Sequence, residues 1–298
     1  MLILGTGALA SLFAARLAAT GVQITMLGSW QAAIEALNKE GVSFTDADGN
    51  ENSFPVTATD DPAKCTGVQY ALVLVKAWQT QRAAQQLGQC LGADGLAVTL
   101  QNGAGNREML QAALGVERVA TGVTTTGATL LGPGQIKAGG EGLISLGSHP
   151  KLRAVADTLL AADFNVEILE DVDSLIWGKL VVNAAINPLT AILGVPNGEL
   201  LARPESRQLM AELAKEVAAV AAAQNIQLPF EDAVVAAEDV ARRTASNHSS
   251  MLQDVQRGAP TEIDAICGAV VEAGKIHGIP TPVNDTMWKL VKAKVNSR

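Results

Sequence analysis

Apolar and polar positions along the first half of the chain follow two rhythms. Short β-rich runs at Leu2–Leu4, Gln23–Leu27, Tyr70–Val75 and Leu96–Leu100 are separated by stretches with helical spacing near Ala8–Thr20, Gln79–Leu91 and Arg107–Leu114. Strands that alternate with helices pair in parallel, because each helix carries the chain back across the sheet. Tyr70-Ala71-Leu72-Val73-Leu74-Val75 is apolar throughout, as a central strand covered on both faces must be. Val42–Thr45 and Ser53–Ala58, on either side of Asp46-Ala47-Asp48-Gly49-Asn50, read as a hairpin insertion. Between Val119 and Gly147, turns at Gly132-Pro133-Gly134 and Gly139-Gly140 separate short strands expected to add an antiparallel edge, and a strand near Asn165–Leu169 closes the domain.

After about Glu170 only the helical rhythm remains, over Ser174–Leu193, Pro204–Gln224, Glu231–Thr244, Glu262–His277 and Pro282–Val295. The pattern predicts an α/β domain over residues 1–169 followed by an all-α domain over residues 170–298, with no internal repeat or flexible linker. Pro188 removes a backbone donor inside the first of these helices, which predicts a kink directly after Asn187.

Composition narrows the class. A chain of 298 residues that is 48% hydrophobic and 17% charged can fill two cores, and no run reaches the ~18 apolar residues of a membrane span. The N-terminus opens into Met1-Leu2-Ile3-Leu4-Gly5 without a basic leader, so the expected location is cytoplasmic. Cys65, Cys90 and Cys267 are far apart and odd in number, and His149, His248 and His277 are isolated; neither set suggests a metal site. A net charge of −8 without a basic run argues against nucleic acid or a membrane as partner and leaves a small molecule, with the chain a monomer or homodimer. An anionic ligand would then be drawn by local devices, a helix N-terminus or single lysines.

Gly5-Thr6-Gly7-Ala8-Leu9-Ala10 follows the first strand and opens a helix, the context that makes a glycine-rich turn a dinucleotide fingerprint. Gly5 permits the tight turn, Gly7 the approach of backbone amides to a pyrophosphate, and Ala10 close helix–strand packing. The end of the second strand, Leu27-Gly28-Ser29-Trp30, carries neither the acid that binds the ribose hydroxyls of NAD nor an arginine for the 2′-phosphate of NADP. Ser29 is therefore the available 2′-phosphate contact, and the missing acid favours NADP without excluding NAD. Lys76-Ala77-Trp78-Gln79-Thr80 and Gln101-Asn102-Gly103-Ala104-Gly105-Asn106 stand at C-terminal strand ends, where ligands of open α/β sheets bind. Lys76 and Asn102 are candidates to border the cofactor, Asn102 by bonding the nicotinamide amide, a ribose hydroxyl or the substrate; the alternatives are a solvated strand terminus and a turn needing positive φ.

Lys179, Asn183 and Asn187 are spaced four apart and share one face of an apolar helix. One cation and two amides suit the wall of a small-molecule cleft, or else form a narrow wet stripe. Farther on, Ser250 and Thr261 open capping-box patterns, S-x-x-Q and T-x-x-D; capping leaves the direction of Glu262 open.

With Lys76-Ala77-Trp78-Gln79, Gln101-Asn102-Gly103, Trp177-Gly178-Lys179-Leu180, Asn183 through Ala191, Pro196-Asn197-Gly198-Glu199-Leu200, Ser249 through Asp254 and Thr261 through Asp264 together, nearly the whole chain resembles the ketopantoate reductases (2-dehydropantoate 2-reductases). The resemblance implies an N-terminal Rossmann domain, a C-terminal helical domain like that of the 6-phosphogluconate dehydrogenase superfamily, and NADPH-dependent reduction of ketopantoate to pantoate in pantothenate biosynthesis. It makes Lys179 the catalytic acid and Glu262 its partner near the substrate and cofactor. Asn183, Asn187 and Ser250 orient the substrate, with Ser250 at its carboxylate, while Asn102 and Lys76 stand near the nicotinamide. Ser29 stands where the family has an arginine. Burial would lower the Lys179 pKa and Glu262 would raise it. Domain closure would exclude water. The competing readings are a reductase of another 2-oxo acid and, in a different class, a non-catalytic NADP-binding sensor.

Overall fold

The computed structural model describes residues 1–46 and 48–296; Ala47, in the expected hairpin turn, lies outside them. The chain divides into two compact units, one of residues 1–101 and 106–172, the other of residues 102–105 and 173–298.

In the first unit β1 (Leu2–Leu4) runs through the glycine turn into α1 (Ala8–Ala19), followed by β2 (Thr25–Leu27) and α2 (Gln31–Glu40). The hairpin is β3 (Val42–Thr45) with β4 (Glu51–Phe54). Its second strand stops earlier than the expected Ser53–Ala58, because Pro55 offers no N–H to the ladder. Thr57–Thr59 is instead a separate strand, β5, parallel to β2. The order continues β6 (Val68–Val73), α3 (Thr80–Cys90), β7 (Leu91–Thr99), α4 (Asn106–Leu114), β8 (Val119–Thr124), β9 (Ala128–Gly132), β10 (Gln135–Ala138), β11 (Leu143–Gly147), α5 (Arg153–Ala161) and β12 (Asn165–Leu169).

Eight strands form one sheet in the order β12-β11-β8-β7-β6-β1-β2-β5. Pairings from β5 to β8 are parallel; β11 joins β8 antiparallel and carries β12 parallel to itself. The antiparallel edge therefore consists of β11 and β12. The expected edge strands β9 and β10 leave it for a four-stranded sheet, β4-β3-β10-β9. Burial explains the second sheet. α1 is apolar nearly all round, with Ala10, Leu12, Phe13, Ala14, Ala15 and Leu17 buried, so the face turned from the main sheet also needs cover. Val42 and Ile136 of the small sheet belong to the same core cluster and supply that cover.

The second unit is helical. α6 (Asp173–Leu193) packs on α8 (Pro204–Ala223), α9 (Ala233–Arg243), α10 (Ser250–Gln256) and α12 (Pro282–Asn296), with α7 (Glu199–Ala202) and α11 (Ala269–His277) completing the set. α6 is long and apolar enough to cross a membrane, but 67% of that apolar stretch is buried, so it serves as the central core helix. It runs past Pro188 to Leu193 as one helix. The expected single helix Glu262–His277 is two pieces: a π-helical turn at Asp264–Gly268 runs into α11. Ile263 precedes that turn, so Thr261 is not its N-cap.

Candidate functional site

In the first unit Gly5 has φ +124°, a conformation that disfavours a side chain, and its amide bonds Leu27 O at 2.9 Å. A Cβ there would stand 3.3 Å from the Ala10 side chain, so the third fingerprint position must be small. Thr6 and Ala10 are buried, Ala8 and Leu9 are partly exposed, and Gly7 is the exposed N-cap of α1. No side chain caps this helix, its first turn has no acid, and the direction of a Gly7 Cβ is open for 4 Å. Free amides, positive dipole end and open approach fit a dinucleotide pyrophosphate. Ser29 is exposed between β2 and α2.

Lys76 is half-buried after β6. Its loop is fixed by Gln101, whose Nε2 donates to Val75 O at 3.0 Å and to Thr80 Oγ1 at 2.8 Å. Thr99 donates to Gln101 Oε1 at 2.9 Å, and Thr80 to Asn106 Oδ1 at 2.8 Å. This network ties the ends of β6 and β7 together. Gln101 stood inside a recognised motif, but nothing in its spacing announced a structural task.

In the second unit Lys179, Asn183 and Asn187 stand on α6 as the spacing predicted; Asn187 is buried and the other two are partly exposed. Burial pulls the Lys179 ammonium down to about 8, while the carboxylate of Glu262 pushes it up. At neutral pH Lys179 still carries its proton and sits close to the point of releasing it. Glu262 is 5% exposed, and its Oε2 accepts from Asn102 Nδ2 at 3.3 Å.

The segment Asn102–Gly105 groups with this helical unit, and the cause is visible at Gly103. Ala104 N donates to Ala265 O at 3.0 Å, and a Cβ on Gly103, whose φ is +86°, would lie 2.4 Å from that same oxygen. The π-helical turn bonds Gly268 N to Ile263 O, and Ala265 O receives Ala104. Asn102, Glu262 and Lys179 are thereby brought together.

Ser250 is the exposed first residue of α10, not its cap. The cap is Ser249, whose hydroxyl accepts from Leu252 N at 3.1 Å. The S-x-x-Q pattern misplaced it by one residue, because Gln253 Nε2 donates to His248 O instead of closing a box. Ser249 Oγ also shares a 2.7 Å hydrogen bond with Thr190 Oγ1, and Thr190 bonds Asn187 O at 2.9 Å. This buried pair links Asn187 to the helix start that carries Ser250. Sequence reading gave neither Thr190 nor Ser249 a role in the site, since Thr190 falls within a helical run and the capping pattern pointed to Ser250.

A family model for ketopantoate reductase (PanE/ApbA) matches residues 1–151, and the model for the C-terminal part of that family matches residues 171–295. The chain belongs to the ketopantoate reductase family. Relatives of this ketopantoate reductase-family chain include the 2-dehydropantoate 2-reductase of Archaeoglobus fulgidus, 36% identical over 97% of this chain and 96% of the relative. That of Halobacterium salinarum is 32% identical over 98% and 97%. Among solved structures, a PanE/ApbA family ketopantoate reductase from Ralstonia eutropha superposes with TM-score 0.93 at 29% identity, covering 100% of this chain and 99% of that one. A ternary structure of D-mandelate dehydrogenase with NADH and anilino(oxo)acetate superposes with TM-score 0.92 at 28% identity, with coverage of 100% and 99%. The ketopantoate reductase-family chain is accordingly an NAD(P)H-dependent oxidoreductase acting on a 2-oxo acid, with an N-terminal Rossmann-like domain and a C-terminal helical one.

Proposed function

We propose that this chain is a 2-dehydropantoate 2-reductase, reducing ketopantoate to pantoate on the route to pantothenate and coenzyme A. The observation that carries the reading is Lys179, desolvated, coupled to Glu262 and lying on the same helix as Asn183 and Asn187. NADPH is the reductant the family resemblance implies, with NADH as the alternative. Gly5 through Ala10, with Ser29 and Lys76 on the same unit, would hold the dinucleotide, which when bound would supply the hydride.

Lys179 donates its proton to the oxygen of the reduced ketone. Negative charge grows there as the carbon–oxygen π bond gives way to a carbon–hydrogen bond, so a nearby ammonium lowers the transition state more than the ground state. Glu262 keeps Lys179 charged before transfer and accepts from the substrate's hydroxyl side. Asn183 and Asn187 orient the substrate through their amides, and Ser250 at the start of α10 receives its carboxylate. The test is kcat/KM for ketopantoate against pyruvate, 2-oxoisovalerate and phenylglyoxylate. Ketopantoate as the best substrate supports the reading, and another substrate ahead of it refutes it.

The second reading, a reductase of a different 2-oxo acid, is favoured by the similarity to D-mandelate dehydrogenase. Phenylglyoxylate, the ketone of mandelate, distinguishes the two. A silent NADP sensor predicts dinucleotide binding with no turnover of any of the four acids. The desolvated Lys179 beside Glu262 argues against it, because a binding module gains nothing from an ammonium tuned toward proton release.

A further inference from the structure

The acid missing from the end of β2 has a substitute on the neighbouring strand. β5 runs parallel to β2 with Leu27 opposite Thr59, and Gly28 N donates to Thr59 O at 3.0 Å. The next residue, Asp60, therefore stands beside Gly28 and Ser29 at the end of the sheet where a dinucleotide's adenosine ribose binds. Its carboxylate is exposed and aimed: Gln31 Nε2, from the first turn of α2, donates to Asp60 Oδ2 at 2.6 Å.

No compensating cation lies on either segment. From Gly28 to Asn38 and from Glu51 to Ala63 the sequence contains no lysine or arginine. Lys39, the next along α2, is in that helix's last turn and paired with Glu40 at 3.0 Å. A 2′-phosphate, carrying nearly two negative charges, would meet the Asp60 carboxylate here with no lysine or arginine on the two flanking segments; the first cation past them is Lys64, in the short turn Pro62–Cys65. The two hydroxyls of an unphosphorylated ribose are donors that a carboxylate accepts.

We propose that Asp60, held by Gln31, selects the dinucleotide: it accepts the ribose hydroxyls of NADH and repels the 2′-phosphate of NADPH, so the enzyme prefers NADH. The inference rests on the dinucleotide-binding role of the first unit but not on the identity of the 2-oxo acid. Its readout is binding, by titrating the purified protein with NADH and with NADPH at fixed ionic strength and following tryptophan fluorescence.

The wild type is expected to bind NADH more tightly. Asp60→Asn should narrow the ratio of dissociation constants about tenfold, mainly by improving NADPH, as expected for one carboxylate facing a near-dianion across roughly 5 Å of wet surface. Asp60→Glu, which keeps the charge, should leave NADPH the weaker ligand, and retained NADH binding in each variant shows that it folds. NADPH bound as tightly as NADH by the wild type, or a ratio unmoved by Asp60→Asn, overturns the assignment. Binding of neither dinucleotide overturns the cofactor reading itself and this inference with it.

Discussion

Glu262 raises the proton affinity of Lys179 while burial lowers it, and burial wins, leaving the ammonium at about 8 against an ordinary 10.5. A general acid works only while it holds its proton, so the rate should be level through neutral pH and fall as pH rises through that value. Glu262→Gln removes the carboxylate charge that raises this pKa. The alkaline limb of the kcat profile should then move to lower pH; a limb that stays in place would mean the two groups do not communicate.

Gly103 is where the Asn102 segment meets the π-helical turn. Gly103→Ala forces a side chain into positive φ and against Ala265 O, 2.4 Å from the added carbon, so it should cost at least about 2 kcal/mol and depress turnover by displacing Asn102 from Glu262. Gly105→Ala is the control, since its φ is also positive, +90°, but the added carbon meets open space within 4 Å and should cost about 1 kcal/mol. Thermal denaturation of the pair checks this. Equal melting temperatures would remove the contact with Ala265 from the account.

Thr190 and Ser249 set the spacing between Asn187 and the start of α10. Thr190→Val keeps the shape and the Ser249 cap but loses the shared hydrogen bond, at a cost of about 1 kcal/mol. Ser249→Ala loses bond and cap together and should cost about 2 kcal/mol. Both should raise KM for the 2-oxo acid several-fold with little change in dinucleotide affinity, and Thr190→Ser should restore it. Lower stability with an unchanged KM would reduce the pair to a core contact.

Most of the architecture was legible in the sequence because it follows from periodicity. The apolar run of β6 announced a parallel sheet, and the four-residue spacing of Lys179, Asn183 and Asn187 announced a shared helix face. What escaped depended on partners distant in the chain. Pro55 ends β4 only because β4 has a ladder to lose, and β9 and β10 leave the main sheet because α1 has an outer face to cover. α2 and α5 bury only three residues each, too few to impose a clear rhythm. The cap at Ser249 was misread as Ser250 because neighbouring serines look alike until one is seen to bond Leu252 N and Thr190. Asp60 was invisible because its relevance comes from strand order: β5 lies next to β2, separated from it in sequence by α2 and the hairpin.

In the proposed reaction Lys179 gives the proton that completes reduction of the ketone. The most direct test of this role is kcat with ketopantoate for Lys179→Ala beside the dissociation constant for the reduced dinucleotide. The expected result is a loss of about 10²–10⁴ in kcat with dinucleotide affinity held within about threefold. A variant that turns over at near the wild-type rate would contradict it.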